Sequence, residues 1–293
     1  MSERTWKLLE LLSEASSFFA DKGLEEPRLE AELLLAASLE IRRIDLYLQF
    51  ERLLAPAEVA AFRGLVRRRL SGEPVQYVTG SAAFRLLELE VSPEVLIPRP
   101  ETEIVVEVAL EVLRPLEEPR VLDAGVGSGA IAVSLAREHA GARLVATDIA
   151  RGALATARAN ARRHDLDGRI RFACMDLFAA FGGGDPTGHF DVIVSNPPYV
   201  ATAELADLAP EVRDHEPRLA LDGGTDGLDV YRRIAAEAPA ALRPGGRLVL
   251  EVGDGQADGV GQLLSASGQF ADIEVRPDLN RVDRVVLCRA AGD

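Results

Sequence analysis

The chain has 293 residues, 47% of them hydrophobic and 27% charged, enough to bury a full core and between the usual lengths for one and two domains. Its net charge of −14 repels a nucleic-acid backbone over most of the surface, and its two cysteines, Cys174 and Cys288, have no Cys-x-x-Cys spacing that would suggest a zinc site or a disulfide framework. Met1 to Leu12 carries Glu3 and Glu10 without a small-residue cleavage site, and no uncharged apolar run approaches the roughly 18 residues needed to cross a bilayer, so we expect no signal peptide, no membrane anchor and a reducing cytoplasmic setting.

From Thr5 to about Arg69 apolar residues recur at helical spacing, as in Leu8, Leu11, Leu12 and again Leu33, Leu34, Leu35, Leu39. This predicts a small helical bundle over residues 1–75. Gly23, Pro27 after Glu25-Glu26, and Pro56, which opens a helix at Ala57, mark its joints. Arg67-Arg68-Arg69 is the one dense basic run and reads as a solvated helix face.

After Gly72-Glu73-Pro74 the period changes. Phe84 to Ile97 alternates, which predicts a β-hairpin turned near Ser92-Pro93 inside a linker over residues 76–100. Beyond Ile104, helical stretches separate short β-branched runs: Arg120 to Leu122, Leu144 to Thr147, Ile170 to Phe172, Asp191 to Val194 and Leu248 to Leu250. Residues 101–293 are therefore expected to form a mostly parallel sheet with helices on both faces. Ile273 to Val275 and Val285 to Leu287 have no helix-length pattern between them and should close it as an antiparallel pair. Gly182-Gly183-Gly184 is the sole low-complexity stretch, read as a loop.

The first strand of that sheet runs into Asp123-Ala124-Gly125-Val126-Gly127-Ser128-Gly129, and a helical pattern starts at Ala130. Glycines there let backbone approach a ligand at a helix N-terminus. The Gly-x-Gly-x-Gly spacing differs from dinucleotide sites, and Asp123 two residues before the first glycine disfavours a pyrophosphate while suiting the cationic end of S-adenosylmethionine. Asp148 ends the second strand where a carboxylate accepts from ribose hydroxyls. At the end of the third, Asp176 can accept from an adenine amino group and Leu177 can pack on the ring.

The fourth strand delivers Ser195-Asn196-Pro197-Pro198-Tyr199 to the same sheet edge, where open α/β sheets place ligands. Two prolines stiffen the loop and leave carbonyls without their own donors. An amide or exocyclic amino nitrogen is a poor nucleophile because its lone pair is delocalised. The Asn196 oxygen and the Pro197 carbonyl, accepting its two N–H bonds, would orient it for attack on a sulfonium methyl, with Tyr199 stacking on the planar group. The expected fold is thus α/β, a class I S-adenosylmethionine-dependent methyltransferase (Rossmann-like) sheet joined by a β-hairpin to an N-terminal helical bundle. His139, His164, His189 and His215 have no metal-ligand spacing and read as surface residues, so no metal is expected.

These residues closely resemble the HemK/PrmC release factor glutamine methyltransferases. The likeness runs through Gly72-Glu73-Pro74-Val75-Gln76-Tyr77, Ile97-Pro98-Arg99-Pro100-Glu101-Thr102-Glu103, the glycine loop, Ser195 to Tyr199, Glu216-Pro217, Gly223-Gly224-Thr225-Asp226-Gly227-Leu228, Pro244-Gly245-Gly246 and Asp283 to Val286. The Asn-Pro-Pro-Tyr tetrapeptide is shared with amino-methylating nucleic-acid enzymes; the Ile97 to Glu103 run is far more specific. The resemblance implies methylation of the side-chain amide nitrogen of the glutamine in the Gly-Gly-Gln motif of class 1 peptide chain release factors, gripped in part by the N-terminal domain. It implies Asn196 and Pro197 as the catalytic pair, Pro198 and Tyr199 beside the substrate, and a cofactor along Gly125, Val126, Gly127, Ser128, Gly129, Asp148, Asp176, Leu177 and Asn196. A monomer that meets no membrane and no nucleic acid directly is expected; the alternatives are N6-adenine methylation of nucleic acid and a binding module without catalysis. Ala124 and Val126 stand where the family usually has Leu and Thr, and Asn280-Arg281 where it often has Gly-Arg. Losing a threonine hydroxyl at Val126 removes one possible cofactor hydrogen bond, worth roughly 1 kcal/mol.

Overall fold

The structure is a computed structural model that describes residues 5–181 and 189–291; the Gly182-Gly183-Gly184 loop lies outside the described residues. The chain divides into two compact units, one running up to Ser81 and including Pro210–His215, the other Ala82–Ala209 with Glu216 onward.

The first unit contains β1 (Trp6–Lys7), α1 (Leu8–Asp21), α2 (Pro27–Leu39), α3 (Arg43–Leu48), β2 (Leu53–Leu54), α4 (Pro56–Leu70) and α5 (Val75–Thr79). The helical spacing works as expected: Leu8, Leu12 and Phe19 of α1 meet Leu34, Leu35, Leu46 and Phe62 in one core. Three details depart from the sequence reading. Trp6 and Lys7 are not helical but pair antiparallel with Leu54 and Leu53, a two-residue ladder that helical periodicity cannot reveal. Helix α4 starts on Pro56 itself, whose missing N–H costs nothing at the first helical position, while Glu58 accepts the Ala55 N–H at 2.8 Å. Arg69 is no solvated residue. It is 7% exposed, and its guanidinium is sandwiched between Glu30, at 2.5 and 3.0 Å, and Glu211, at 2.7 Å. Its neighbours Arg67 and Arg68 are exposed, so only one face of the basic run looks at water.

The second unit opens within β3 (Ser81–Phe84), at Ala82, and continues with β4 (Leu87–Glu90), α6 (Glu103–Leu113), β5 (Arg120–Ala124), α7 (Ala130–Glu138), β6 (Arg143–Asp148), α8 (Arg151–Arg163), β7 (Ile170–Cys174) and β8 (Phe190–Ser195). After α9 (Pro210–His215, part of the first unit) come α10 (Asp229–Ala241), β9 (Leu242–Glu251), α11 (Ala257–Ala266), β10 (Phe270–Pro277) and β11 (Asp283–Ala290). The hairpin turns at Arg85-Leu86, not at Ser92-Pro93. Arg85 takes a left-handed φ of 50° with its N–H on Glu103 at 2.9 Å, and the ladder stops at Glu90, whose N–H and C=O are both taken by the Asn160 side chain.

The main sheet has the order β10-β11-β9-β8-β5-β6-β7, antiparallel only where β11 meets β9 and β10, as the pattern of the last two strands predicts. Successive residues point to opposite faces. Val121, Leu144, Val192 and Val249 pack beneath α6, α7 and α8; Leu122, Ile193, Leu248 and Leu250 pack beneath α10 and α11. The order reverses between β5 and β8, so the loops leaving these neighbouring parallel strands open a crevice at their carboxyl ends. Among the described residues no helix is long and apolar enough to cross a membrane.

Candidate active site

A cavity of about 270 Å³ lies at this crevice, inside the second unit. It is lined by Gly125, Val126, Gly127 and Ser128 after β5, Asp148 and Ile149 after β6, Asp176 and Leu177 after β7, and Asn196, Pro197 and Pro198 after β8. Four chain segments distant in sequence meet here because parallel strands end at the same edge.

Gly125 and Gly127 have φ of +83° and +52°, a region that L side chains rarely adopt, and no atom lies within 4 Å of where a Cβ would stand on either. They keep the cavity floor open. The loop spends its amides on the end of β6: Gly125 and Val126 N–H donate to Thr147 O at 2.9 and 2.8 Å, and Gly127 N–H donates to Asp148 Oδ2 at 3.0 Å. It therefore offers a ligand shape more than free donors. Asp148 is braced further by the Ala150 N–H at 2.8 Å.

Gly129 does not line the cavity. With φ +88°, it faces α8, where a Cβ would sit 3.1 Å from Ala157 Cβ, so its part is helix packing. Asp123 is also withdrawn: 1% exposed and absent from the lining, it accepts the Ala132 N–H at 3.0 Å through Oδ2, while Oδ1 has no partner. Burial, with some help from Asp148, pushes its carboxyl up to about 7. Asp176 is paired at 3.0 Å with Arg233 of α10, which also lines the cavity.

Asn196 donates through Nδ2 to Thr102 Oγ1 at 3.2 Å. Pro197 is buried, and Pro198 rests against Gly223, where a Cβ would come within 2.8 Å of the Pro198 carbonyl. Tyr199, expected to stack over the cavity, does not line it. Its ring packs against the core beneath α10, burial pushes its hydroxyl up to about 12, and Gln256 Nε2 holds its carbonyl at 2.8 Å. The backs of these residues account for the Gly223 to Leu228 motif: Val200 N–H donates to Leu221 O at 2.9 Å, Gly223 N–H to Val200 O at 2.8 Å, and a Cβ on Gly227 would collide with Tyr199 O.

The Ile97 to Glu103 run forms another wall. Arg99 and Thr102 line the cavity, Arg99 is ion-paired with buried Glu216, and Glu216 Oε2 accepts the Ile97 N–H at 3.2 Å. Thr102 leads on to Glu251 at the end of β9, which is 1% exposed. Sequence reasoning quoted the segments holding Thr102, Arg99 and Glu216 without giving these side chains a task. It missed Ile149, Asn160, Arg233, Glu251 and Gln256, none of which sits in a pattern that local spacing marks.

The four histidines are half-buried. His139 Nε2 lies 3.2 Å from Leu113 O and His164 Nε2 3.0 Å from Glu88 O, which ties both rings to backbone. Among the described residues no group of three or more His, Cys, Asp or Glu could hold a metal ion. Asn280-Arg281 falls in the turn between β10 and β11, where Asp278 Oδ1 accepts the Asn280 and Val282 N–H groups at 2.8 and 3.0 Å.

The site can be set beside known proteins. The family model described as the PrmC N-terminal domain matches residues 10–80, and the methyltransferase small domain matches residues 101–212. A release factor glutamine methyltransferase of Chlorobaculum tepidum is 47% identical over 294 residues, covering 98% of this chain and 99% of that protein. One of Geobacter sulfurreducens is 47% identical over 281 residues, covering 96% of each. A solved methyltransferase from Pyrococcus furiosus, 19% identical with a TM-score of 0.50, covers 78% of this chain and 99% of its own and shares the fold. Near full-length identity at this level, with both family models in chain order, places the chain in the HemK/PrmC family of release factor glutamine methyltransferases.

Proposed function

We propose that this protein transfers a methyl group from S-adenosylmethionine to the side-chain amide nitrogen of the glutamine in the Gly-Gly-Gln motif of class 1 release factors. The observation that carries the reading is that Asn196 and Pro197 share one cavity with the glycine loop, with the Asn196 nitrogen already engaged by Thr102. Its oxygen is then left to accept a substrate N–H.

The cavity suits the cofactor. An open floor at Gly125 and Gly127, the carboxylates of Asp148 and Asp176 at two strand ends, and apolar Ile149 and Leu177 form a cradle for a cationic ligand with a flat apolar ring. Gly125, Val126, Gly127, Ser128, Asp148, Asp176, Leu177 and Asn196 would hold it, with Gly129 supporting from behind. When bound, the cofactor supplies an electrophilic methyl on a sulfonium sulfur. The protein's own work is positioning: the Asn196 oxygen and the Pro197 carbonyl accept the two amide N–H bonds and favour the pyramidal nitrogen whose lone pair can attack. Pro198 and Tyr199 keep that loop stiff from behind, and the nitrogen, acidic once alkylated, gives its proton to water without a dedicated base.

Residues 1–75 act as the domain that grips the release factor, residues 76–100 as the linker and residues 101–293 as the catalytic domain. The enzyme works as a monomer in the cytoplasm and makes no direct contact with nucleic acid. Incubation with labelled cofactor and a release factor should label the intact motif and not a variant with its glutamine replaced. Equal labelling of both, or faster transfer to duplex DNA or RNA, would overturn the reading.

A further inference from the structure

We infer that Glu251 is a positioning residue that, together with Thr102, dictates which end of the Asn196 carboxamide faces the cavity, an inference that rests on the proposed role of Asn196 as acceptor for the substrate amide. The two ends of a carboxamide are nearly the same size, and only hydrogen-bond partners tell them apart. If the nitrogen faced the cavity, the site would oppose a donor to the substrate's own N–H groups.

Strands β8 and β9 run parallel with Ser195 opposite Leu250, so the next residues, Asn196 and Glu251, leave the sheet side by side. Thr102 arrives from the turn before α6 and accepts the Asn196 Nδ2–H at 3.2 Å. A hydroxyl has one proton, and the Thr102 oxygen can accept from Asn196 only if that proton is sent elsewhere. The Glu251 carboxylate, set beside Asn196 by the strand register, is the acceptor we assign to that proton and to the second Asn196 N–H, and both Thr102 and Asn196 favour its charged form. A carboxylate can only accept. Both inner partners of Asn196 are then acceptors, the NH2 group is drawn inward, and Oδ1 is left for the cavity.

The cost of keeping this acid in the core argues for a purpose. Glu251 is 1% exposed, and its Oε2 has no hydrogen-bond partner. Arg284 of β11 favours its charge and Glu101 opposes it; the hydroxyls of Tyr199 and Tyr231 are nearby, and Tyr231 donates to the Glu251 backbone carbonyl at 2.8 Å, not to its carboxylate. Burial pushes the Glu251 carboxyl up to about 7. Once protonated, it becomes a donor as well as an acceptor, and the one-way chain through Thr102 can reverse.

The test uses the full chain with and without cofactor. In protein labelled with 15N-asparagine, the Asn196 side-chain NH2 resonance, identified by its absence in N196D, should shift with pH around neutrality and should cease to do so in E251Q. In steady-state methylation, E251Q and T102V should lower kcat by about 100-fold with cofactor affinity unchanged. T102S, which keeps the hydroxyl, should recover most of the kcat lost in T102V, and the fall in wild-type kcat below neutral pH should be absent in E251Q. An Asn196 resonance that does not titrate, or E251Q with wild-type kcat and pH profile, would overturn the inference. Wild-type protein that fails to label the glutamine while the resonance titrates as described would remove the proposed substrate and leave the wiring of Asn196 standing.

Discussion

Gln256 donates its Nε2–H to the Tyr199 carbonyl at 2.8 Å while its Oε1 accepts the Gly253 N–H at 3.1 Å, so one carboxamide pins the exit of the Asn196 to Tyr199 loop to the turn after β9. Two prolines already limit that loop, yet they fix only its own dihedrals; Gln256 fixes its place relative to the sheet. Q256A should lower kcat about tenfold, since small displacements of a positioning group are costly, and should reduce stability by about 1 kcal/mol for the lost hydrogen bonds. Kinetics and thermal melts on the same preparation check this. A lower Tm with unchanged kcat would mean that Gln256 serves folding alone.

Asn196 is half-buried at the cavity wall. N196A should lose turnover by at least about 100-fold, the scale for removing one oriented polar group from a reacting centre. Cofactor binding, measured by calorimetry, should change far less. Undiminished turnover would defeat the proposed mechanism.

Asp123 gives the protein a distinctive pH response. Its carboxyl stands at about 7 when folded, against an ordinary value of 3.8, because burial opposes its charge. Between these values the folded state holds a proton that the unfolded state releases, so the stability tied to Asp123 is full below about pH 4 and is lost as pH rises through about 7. Asparagine has no such charge to bury, and one of its atoms can still accept the Ala132 N–H. D123N should therefore melt at the wild-type temperature near pH 4 and above it at pH 8, by up to about 4 kcal/mol in stability. Melts across pH check the slope. An equal gap at both pH values would show that the charge is not its source.

Gly129 is needed for a contact between helices. An added methyl would meet Ala157 Cβ at 3.1 Å and its Cα at 3.2 Å, on a backbone with φ of +88°. G129A should cost about 2 kcal/mol from the backbone conformation and the close approach together. Because Gly129 does not line the cavity, residual folded protein should bind cofactor with near wild-type affinity. Affinity that falls while the Tm holds would put Gly129 in the binding surface after all.

Much of the site was legible because its chemistry is local. Positive-φ glycines, acids at strand ends and a proline-stiffened loop each leave a mark within a few residues, and Gly125, Gly127, Asp148, Leu177 and Asn196 do meet in one cavity. Tyr199 and Gly129 show the limit: the same motifs contain them, but the direction a side chain takes is set by what packs behind it, here the core under α10 for the tyrosine and α8 for the glycine.

The Asn196 to Tyr199 loop itself, with the glycine loop and the order of strands and helices, was determined by the amino-acid sequence alone, since period, turn chemistry and motif spacing are properties of neighbouring residues. Tertiary structure alone decided what holds that loop and the other segments of the second unit in place. Gln256 reaches it across 57 residues, Thr102 reaches Asn196 across 94, and Asn160 closes on Glu90 across 70. Each is a single polar side chain that finds its partner only when the sheet assembles, and no periodic pattern announces a hydrogen bond between residues that far apart.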